Sequence, residues 1–182
     1  MEAALISRAG QSVSTRTVGP VGTAGYGVPV VLPSVIPITR EADYRTSTIG
    51  RYDFGQFFAW VTAAHLPGEQ VGADWRQRQR WYAVIHRFDH DGNHVSSDVW
   101  CPGPGTRDGV AERLQLWLAD LPGRRYGDIA IRPFQVLVDG IVFGLVPECH
   151  GQYSEGEQED DWAEFYPGRL GFHTPWDGTY DT

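Results

Sequence analysis

Three histidines spaced four residues apart, His86, His90 and His94, are the first candidates for chemistry. On a helix this spacing would place the imidazoles on one face, but the intervening residues predict a strand, a turn and a second strand. We therefore expect His90 at the tip of a hairpin, with His86 and His94 facing each other. A zinc site needs three or four convergent ligands, and no Cys pair or HExxH motif completes one. We predict neither a metal nor a cofactor.

Two further stretches have the residue types of known motifs but not their spacing. Asp89 to Gly92 has the composition of a calcium loop, but an EF-hand needs Gly at position six and Glu at position twelve, where this chain has His94 and Trp100. Cys149 lies beside His150, yet neighbours on an extended strand point to opposite faces. We predict a hairpin turn for the first stretch and a small buried cysteine for the second.

The stretch from 148 to 164 contains seven carboxylates and no arginine: Glu148, Glu155, Glu157, Glu159, Asp160, Asp161 and Glu164. Such charge runs are usually solvated loops. Here an aromatic residue follows directly, and an aromatic anchor surrounded by charge suits a protein partner with a basic surface. The predicted partner-binding residues in this stretch are Glu157, Glu159, Asp160, Asp161 and Trp162. The alternative is that Trp162, Phe165 and Tyr166 only fasten the loop to the sheet.

The tail from 170 to 182 ends in aromatic residues separated by turn residues. In the simplest interpretation, Trp176 and Tyr180 hold the carboxyl terminus against the core. If they are exposed instead, they extend the partner-binding surface, and we include both among its candidate residues.

Composition limits the classes of function. The chain has 182 residues, a formal net charge of −8 and 41% hydrophobic residues, which suffices for one core. Nucleic acids and anionic membranes bind cationic surfaces, so neither is an expected partner. No stretch has the pattern of a signal peptide or the length of a membrane span, so we expect a cytoplasmic protein with reduced cysteines.

The elements that must position these residues follow from alternation and turn chemistry. Residues 44–51 and 56–64 read as two strands about Asp53-Phe54-Gly55, and 81–89 and 94–100 as two more. Asp139-Gly140 joins two β-branched runs in the strongest hairpin signal of the chain, and we expect the fold to be organised around it. Residues 108–121 form the one clear helix, with an apolar stripe and a cap from Thr106 or Asp108.

These elements predict an α+β fold: an antiparallel sheet of about six strands built from hairpins, with one main amphipathic helix packed on one face. Residues 1–38 are rich in Gly, Ser, Thr, Val and Pro, and we expect a flexible extension there. Residues 39–182 are expected to form a single domain, with the acidic loop at 148–164 and the aromatic tail at its end.

Six strings of the chain carry a family resemblance: YRT at 44–46, IGRY at 49–52, QFFA at 56–59, YGDIAIRPF at 126–134, FGL at 143–145 and PWDGTYDT at 175–182. They resemble a group of actinobacterial proteins labelled formate hydrogenlyase regulatory protein. The resemblance covers about residues 38–182, and it implies a small cytoplasmic regulatory protein.

Together these patterns predict a non-enzymatic regulatory or interaction protein that binds a protein partner through an acidic, aromatic-containing surface. Two alternatives stay open. One is an immunity protein that neutralises a basic toxin. The other is a small enzyme with a cleft lined by His86, His94, Cys149 or the acidic residues.

Overall fold

The computed structural model describes residues 32–69, 72, 74–148 and 161–182, and predictions made for other residues lie outside this range. Within the described residues there are eleven strands and two helices. The strands are β1 Ile36–Ile38, β2 Ile49–Tyr52, β3 Gly55–Ala64, β4 Arg80–Phe88, β5 His94–Trp100, β6 Arg125–Tyr126, β7 Ile129–Ile131, β8 Val136–Val138, β9 Ile141–Glu148, β10 Trp162–Tyr166 and β11 Leu170–Phe172; the helices are α1 Trp75–Arg78 and α2 Val110–Ala119.

The described strands form three antiparallel sheets instead of the single sheet of about six strands that we predicted. One has five strands in the order β5-β4-β3-β2-β6, one has four in the order β11-β10-β9-β8, and β1 pairs with β7. The fold is broadly α+β, as predicted, but richer in sheet. The difference arises because β10, which begins in the predicted acidic loop, pairs with β9, and β11, which begins the predicted tail, pairs with β10.

The five-stranded sheet lies between two hydrophobic clusters. On one face Phe58 and Trp60 of β3 pack against the four-stranded sheet, where Phe143 lies. On the other face Phe57 and Ala59 pack beneath α2. The alternation predicted for β3 is therefore confirmed, and that for β4 follows the same pattern.

Helix α2 covers the outer face of the five-stranded sheet through Val110, Leu114 and Leu118, as its apolar stripe predicted. The predicted cap is wrong. The N-cap residue is Gly109, with a φ of 73° and no side-chain capping bond, and Thr106 Oγ1 instead accepts the Asp108 N–H at 3.2 Å. Gly109, in the left-handed backbone region, lies between both of these residues and the first turn of the helix.

The hairpin predicted at Asp139-Gly140 is present. Val138 pairs with Ile141, and the two turn residues have φ values of 52° and 80°, as a type I′ turn requires. It is not the centre of the fold, however. Strand β8 lies at the edge of the four-stranded sheet, and β7 pairs with β1 instead of continuing the hairpin.

The amino-terminal boundary of the domain, predicted between residues 38 and 39, leaves out residues that belong to the fold. Ile36 and Ile38 are fully buried in the larger cluster, because β1 pairs with β7. The strand predicted at 44–51 also shortens to β2, since Thr46 and Arg40 hold the preceding residues in turns. Thr46 Oγ1 accepts the Glu41 N–H at 3.1 Å, and Arg40 Nε donates to the Ser47 carbonyl at 2.9 Å.

Candidate functional site

The acidic stretch is the connection of a β-hairpin. Glu148 at the end of β9 is the pairing partner of Trp162 at the start of β10, so the sheet fixes both ends of the connection. Three predicted binding residues, Glu157, Glu159 and Asp160, lie outside the described residues. Asp161 and Trp162 lie within them, and both are half-buried.

Glu164 and Glu148, which lie on the two described strands of this hairpin, are used inside the fold. Glu164 is only 5% exposed, and Arg169 Nε donates to it at 2.6 Å. The Tyr166 hydroxyl donates to Glu148 at 2.7 Å. Burial, with the hydrogen bond to Glu148, raises the pKa of Tyr166, and the hydrogen bond to Glu164 raises the pKa of Arg169. Sequence reasoning missed these roles because a charge run gives no sign of which members are buried.

The aromatic residues of this stretch have different environments. Phe165 is fully buried and stacks on Phe58 with ring centroids 4.1 Å apart. Trp162 and Tyr166 are half-buried. The alternative in which these residues fasten the stretch to the sheet therefore holds for Phe165, while Trp162 keeps part of its surface in solvent.

Trp176 and Tyr180, both predicted for the binding surface, are half-buried and pack against the larger hydrophobic cluster. The Tyr180 hydroxyl accepts the Arg45 N–H at 3.3 Å. Backbone hydrogen bonds of 2.9 Å in both directions join Gly171 to Asp181. The tail is thus held against the core, as the structural interpretation predicted, and neither aromatic ring stands free of the fold.

His86 and His94 do face each other, as the hairpin prediction required, with ring centroids 6.2 Å apart. Ser97 Oγ lies between them, 2.6 Å from His86 Nδ1 and 2.8 Å from His94 Nε2. Phe134 stacks on His94 at 4.5 Å. His86 is fully buried, and its Nε2 has no hydrogen-bond partner among the described residues.

Burial keeps this histidine pair uncharged. It lowers the pKa of His86 well below 6.5, with His94 adding to the effect, and lowers the pKa of His94 to about 4. A base with so low a pKa is weak at neutral pH. The described residues bring no three His, Cys, Asp or Glu side chains together in a way that could hold a metal ion. His90, at the hairpin tip, is exposed and apart from the pair.

The histidine pair predicts acid sensitivity. In the unfolded chain these two histidines take up protons near pH 6.5, whereas in the folded chain they do so only near pH 4 or below. Their contribution to stability is therefore fully present above pH 6.5 and is lost as the pH drops toward 4. Each histidine contributes at most about 1.4 kcal/mol per pH unit, and His94 contributes less because it is partly exposed.

Urea unfolding at several pH values between 7 and 4.5 measures this dependence. The variant His94→Gln should lose stability less steeply with acid than the wild type. His65→Gln, beyond the far end of β3, serves as the control and should follow the wild type. Identical slopes for His94→Gln and wild type would show that His94 keeps its ordinary pKa.

A cleft of about 460 Å³ lies at the edge of the five-stranded sheet, and sequence reasoning did not find it. Its lining includes the charged residues Arg51, Arg125, Asp53 and Asp128, together with His90. Strand β6 brings Arg125 directly opposite Arg51 of β2. No sequence signal indicates this pairing, because β6 has only two residues and no alternation.

The fold places the chain among the α+β proteins built from antiparallel sheets, and the sites described above do not narrow that class. No family model, curated protein or solved structure matches the chain. Among the described residues, no helix is long and apolar enough to cross a membrane.

Proposed function

We propose that this chain is a non-enzymatic regulatory protein that binds a protein partner with a basic surface. The binding surface is the acidic β9–β10 connection together with Trp162 at its base. The observation that carries the proposal is the pairing of Glu148 with Trp162, which brings the two ends of the acidic stretch together.

Charge distribution supports the proposal. The net charge of the chain is −8, and residues 148–164 hold seven carboxylates without a single arginine. Glu148 and Glu164 are engaged by Tyr166 and Arg169, and the carboxylates that we propose for the partner are Glu157, Glu159, Asp160 and Asp161. A concentrated field of one sign speeds association with an oppositely charged protein and selects against acidic ones.

The buried residues at the carboxyl-terminal end of the β9–β10 connection also support binding. Phe165 and Glu164 at its carboxyl-terminal side are buried in the sheet, so a partner that contacts Trp162 meets a side chain on a rigid strand. Rigid anchors reduce the conformational entropy lost on association.

The resemblance to actinobacterial regulatory proteins favours a regulator over an immunity protein, although a basic toxin would fit the same surface. The enzyme alternative has less support. His86 is buried against Phe134 and Phe165, His94 stacks on Phe134, and Cys149 lies outside the described residues.

Capture from host lysate with the full chain tests the proposal. The test variant carries Glu157→Gln, Glu159→Gln, Asp160→Asn and Asp161→Asn. The control variant removes four exposed carboxylates elsewhere, through Asp74→Asn, Asp108→Asn, Glu112→Gln and Asp120→Asn.

We expect one stoichiometric partner that the wild type and the control variant retain and the test variant loses. Both variants change the net charge equally, so a difference between them reports the position of the charge. Thermal melting of each bait excludes loss through unfolding. Equal retention by the test and control variants would contradict the proposal.

A further inference from the structure

We propose that the cleft between β2, β6 and the β4–β5 turn binds a phosphorylated small molecule that also carries hydroxyl groups, such as a sugar phosphate. The proposal stands on the guanidinium groups of Arg51 and Arg125 and is independent of the protein-partner surface. The cleft volume of about 460 Å³ suits a ligand of that size.

The charges of Arg51 and Arg125 do not favour folding at their positions in the sheet. The two residues are direct pairing partners on antiparallel strands, and like charges at such positions are destabilising. Within the described part of the chain, neither forms an ion pair or a side-chain hydrogen bond. By contrast, Arg87 pairs with Asp98 at 2.6 Å. An anion between the two guanidinium groups would neutralise both.

Two further arginines lie beside Tyr126, although neither is among the described residues that line the cleft. The guanidinium carbons of Arg40 and Arg124 lie 5.3 and 5.2 Å from the ring centroid of Tyr126, which lines the cleft and is 43% exposed. Arg124 Nη1 is buried and has no hydrogen-bond partner among the described residues. A phosphate offers several acceptors at once, and guanidinium groups bind it in bidentate fashion.

The backbone is built to bring these groups together. Gly50 pairs with Tyr126, and a Cβ at Gly50 would lie 2.1 Å from the Arg125 carbonyl oxygen. Only glycine therefore allows β6 to approach β2 in this register. Among the described strands, the short β6 has no neighbour in its sheet besides β2, so the residue at position 50 controls where Arg125 and Tyr126 lie.

Two carboxylates in the cleft determine which other groups of the ligand it accepts. Asp53 and Asp128 line the same cleft, and Asp128 Oδ1 accepts the Arg40 N–H at 2.7 Å. They would repel a second anionic group but accept hydrogen bonds from hydroxyl groups. This combination favours a ligand with one phosphate and several hydroxyls over a polyanion such as nucleic acid.

Calorimetric titration of the full chain tests the assignment with three probes: ribose 5-phosphate, inorganic phosphate and ribose. We expect ribose 5-phosphate to bind more tightly than inorganic phosphate, and ribose alone not to bind. The double variant Arg51→Gln/Arg125→Gln should weaken binding at least about tenfold, since each lost charge-assisted contact costs roughly that factor. Arg76→Gln/Arg113→Gln, with the same charge change at exposed positions outside the cleft, should bind as the wild type does.

A second measurement covers the case in which the double variant folds poorly. In an amide correlation spectrum of the wild type, ribose 5-phosphate should shift the signals of Tyr126 and Gly127 while leaving those of α2 in place. Failure of both phosphate compounds to bind at millimolar concentration, or equal binding by the cleft variant and its control, would overturn the proposal. Equal affinity for phosphate and ribose 5-phosphate would overturn the role of Asp53 and Asp128.

Discussion

Replacing Phe165 with alanine is expected to lower the free energy of unfolding by about 3–5 kcal/mol. Phe165 is fully buried and links the two larger sheets. Its ring stacks on Phe58 at 4.1 Å, meets Trp60 edge-on at 5.4 Å and lies 5.7 Å from His86. Truncation would leave a cavity that rigid strands on both sides cannot close.

Urea denaturation at pH 7.5 measures the loss, and Phe54→Ala is the matched control. Phe54 is 69% exposed, so its truncation should change stability by no more than about 0.5 kcal/mol. A loss below about 1 kcal/mol for Phe165→Ala would contradict the packing of the two sheets described above.

Gln56→Leu is expected to cost about 2–4 kcal/mol, although it removes no volume from the core. Gln56 is 2% exposed and bonds Ala130 at both ends of its amide: its Nε2 donates to the Ala130 carbonyl at 2.9 Å, and its Oε1 accepts the Ala130 N–H at 2.8 Å. This side chain therefore connects β3 to β7. Leucine fills the space but leaves a backbone donor and an acceptor without partners.

Gln115→Leu on α2 is the control, because that glutamine is exposed and the substitution adds the same apolar group. It should leave the midpoint of urea unfolding nearly unchanged. Amide exchange gives an independent check, since the Ala130 amide should lose protection in Gln56→Leu. Unchanged stability and unchanged protection together would mean that the connection between β3 and β7 does not depend on this side chain.

Local patterns predicted the middle of the chain well. Strands β3, β4 and β5 follow from alternating residues, and the β4–β5 turn follows from Asp89, whose Oδ1 accepts the backbone N–H groups of Asp91 and Asn93 at 3.0 and 2.8 Å. Such signals lie within a few residues of one another. They require no knowledge of which distant segments meet.

What the sequence did not reveal depends on distant pairing. Strand β10 was concealed because Ala163, Glu164 and Phe165 are all buried, so no alternation marks it, and Glu164 becomes recognisable as a core residue only beside Arg169. Strand β1 falls within the predicted flexible extension, because only its pairing with β7 reveals it as a strand. The arginine cleft is a still clearer case, because Arg51 and Arg125 are ordinary surface residues until β2 and β6 are aligned.

The central claim is that the acidic β9–β10 connection binds a basic protein partner, and the association rate of the captured partner tests it most directly. Stopped-flow mixing would compare the wild type, the four-carboxylate test variant and the charge-matched control over a range of ionic strength. We expect a rate that falls steeply with salt for the wild type and the control, and a slower, nearly salt-independent rate for the test variant. Equal salt dependence for all three proteins would contradict the account.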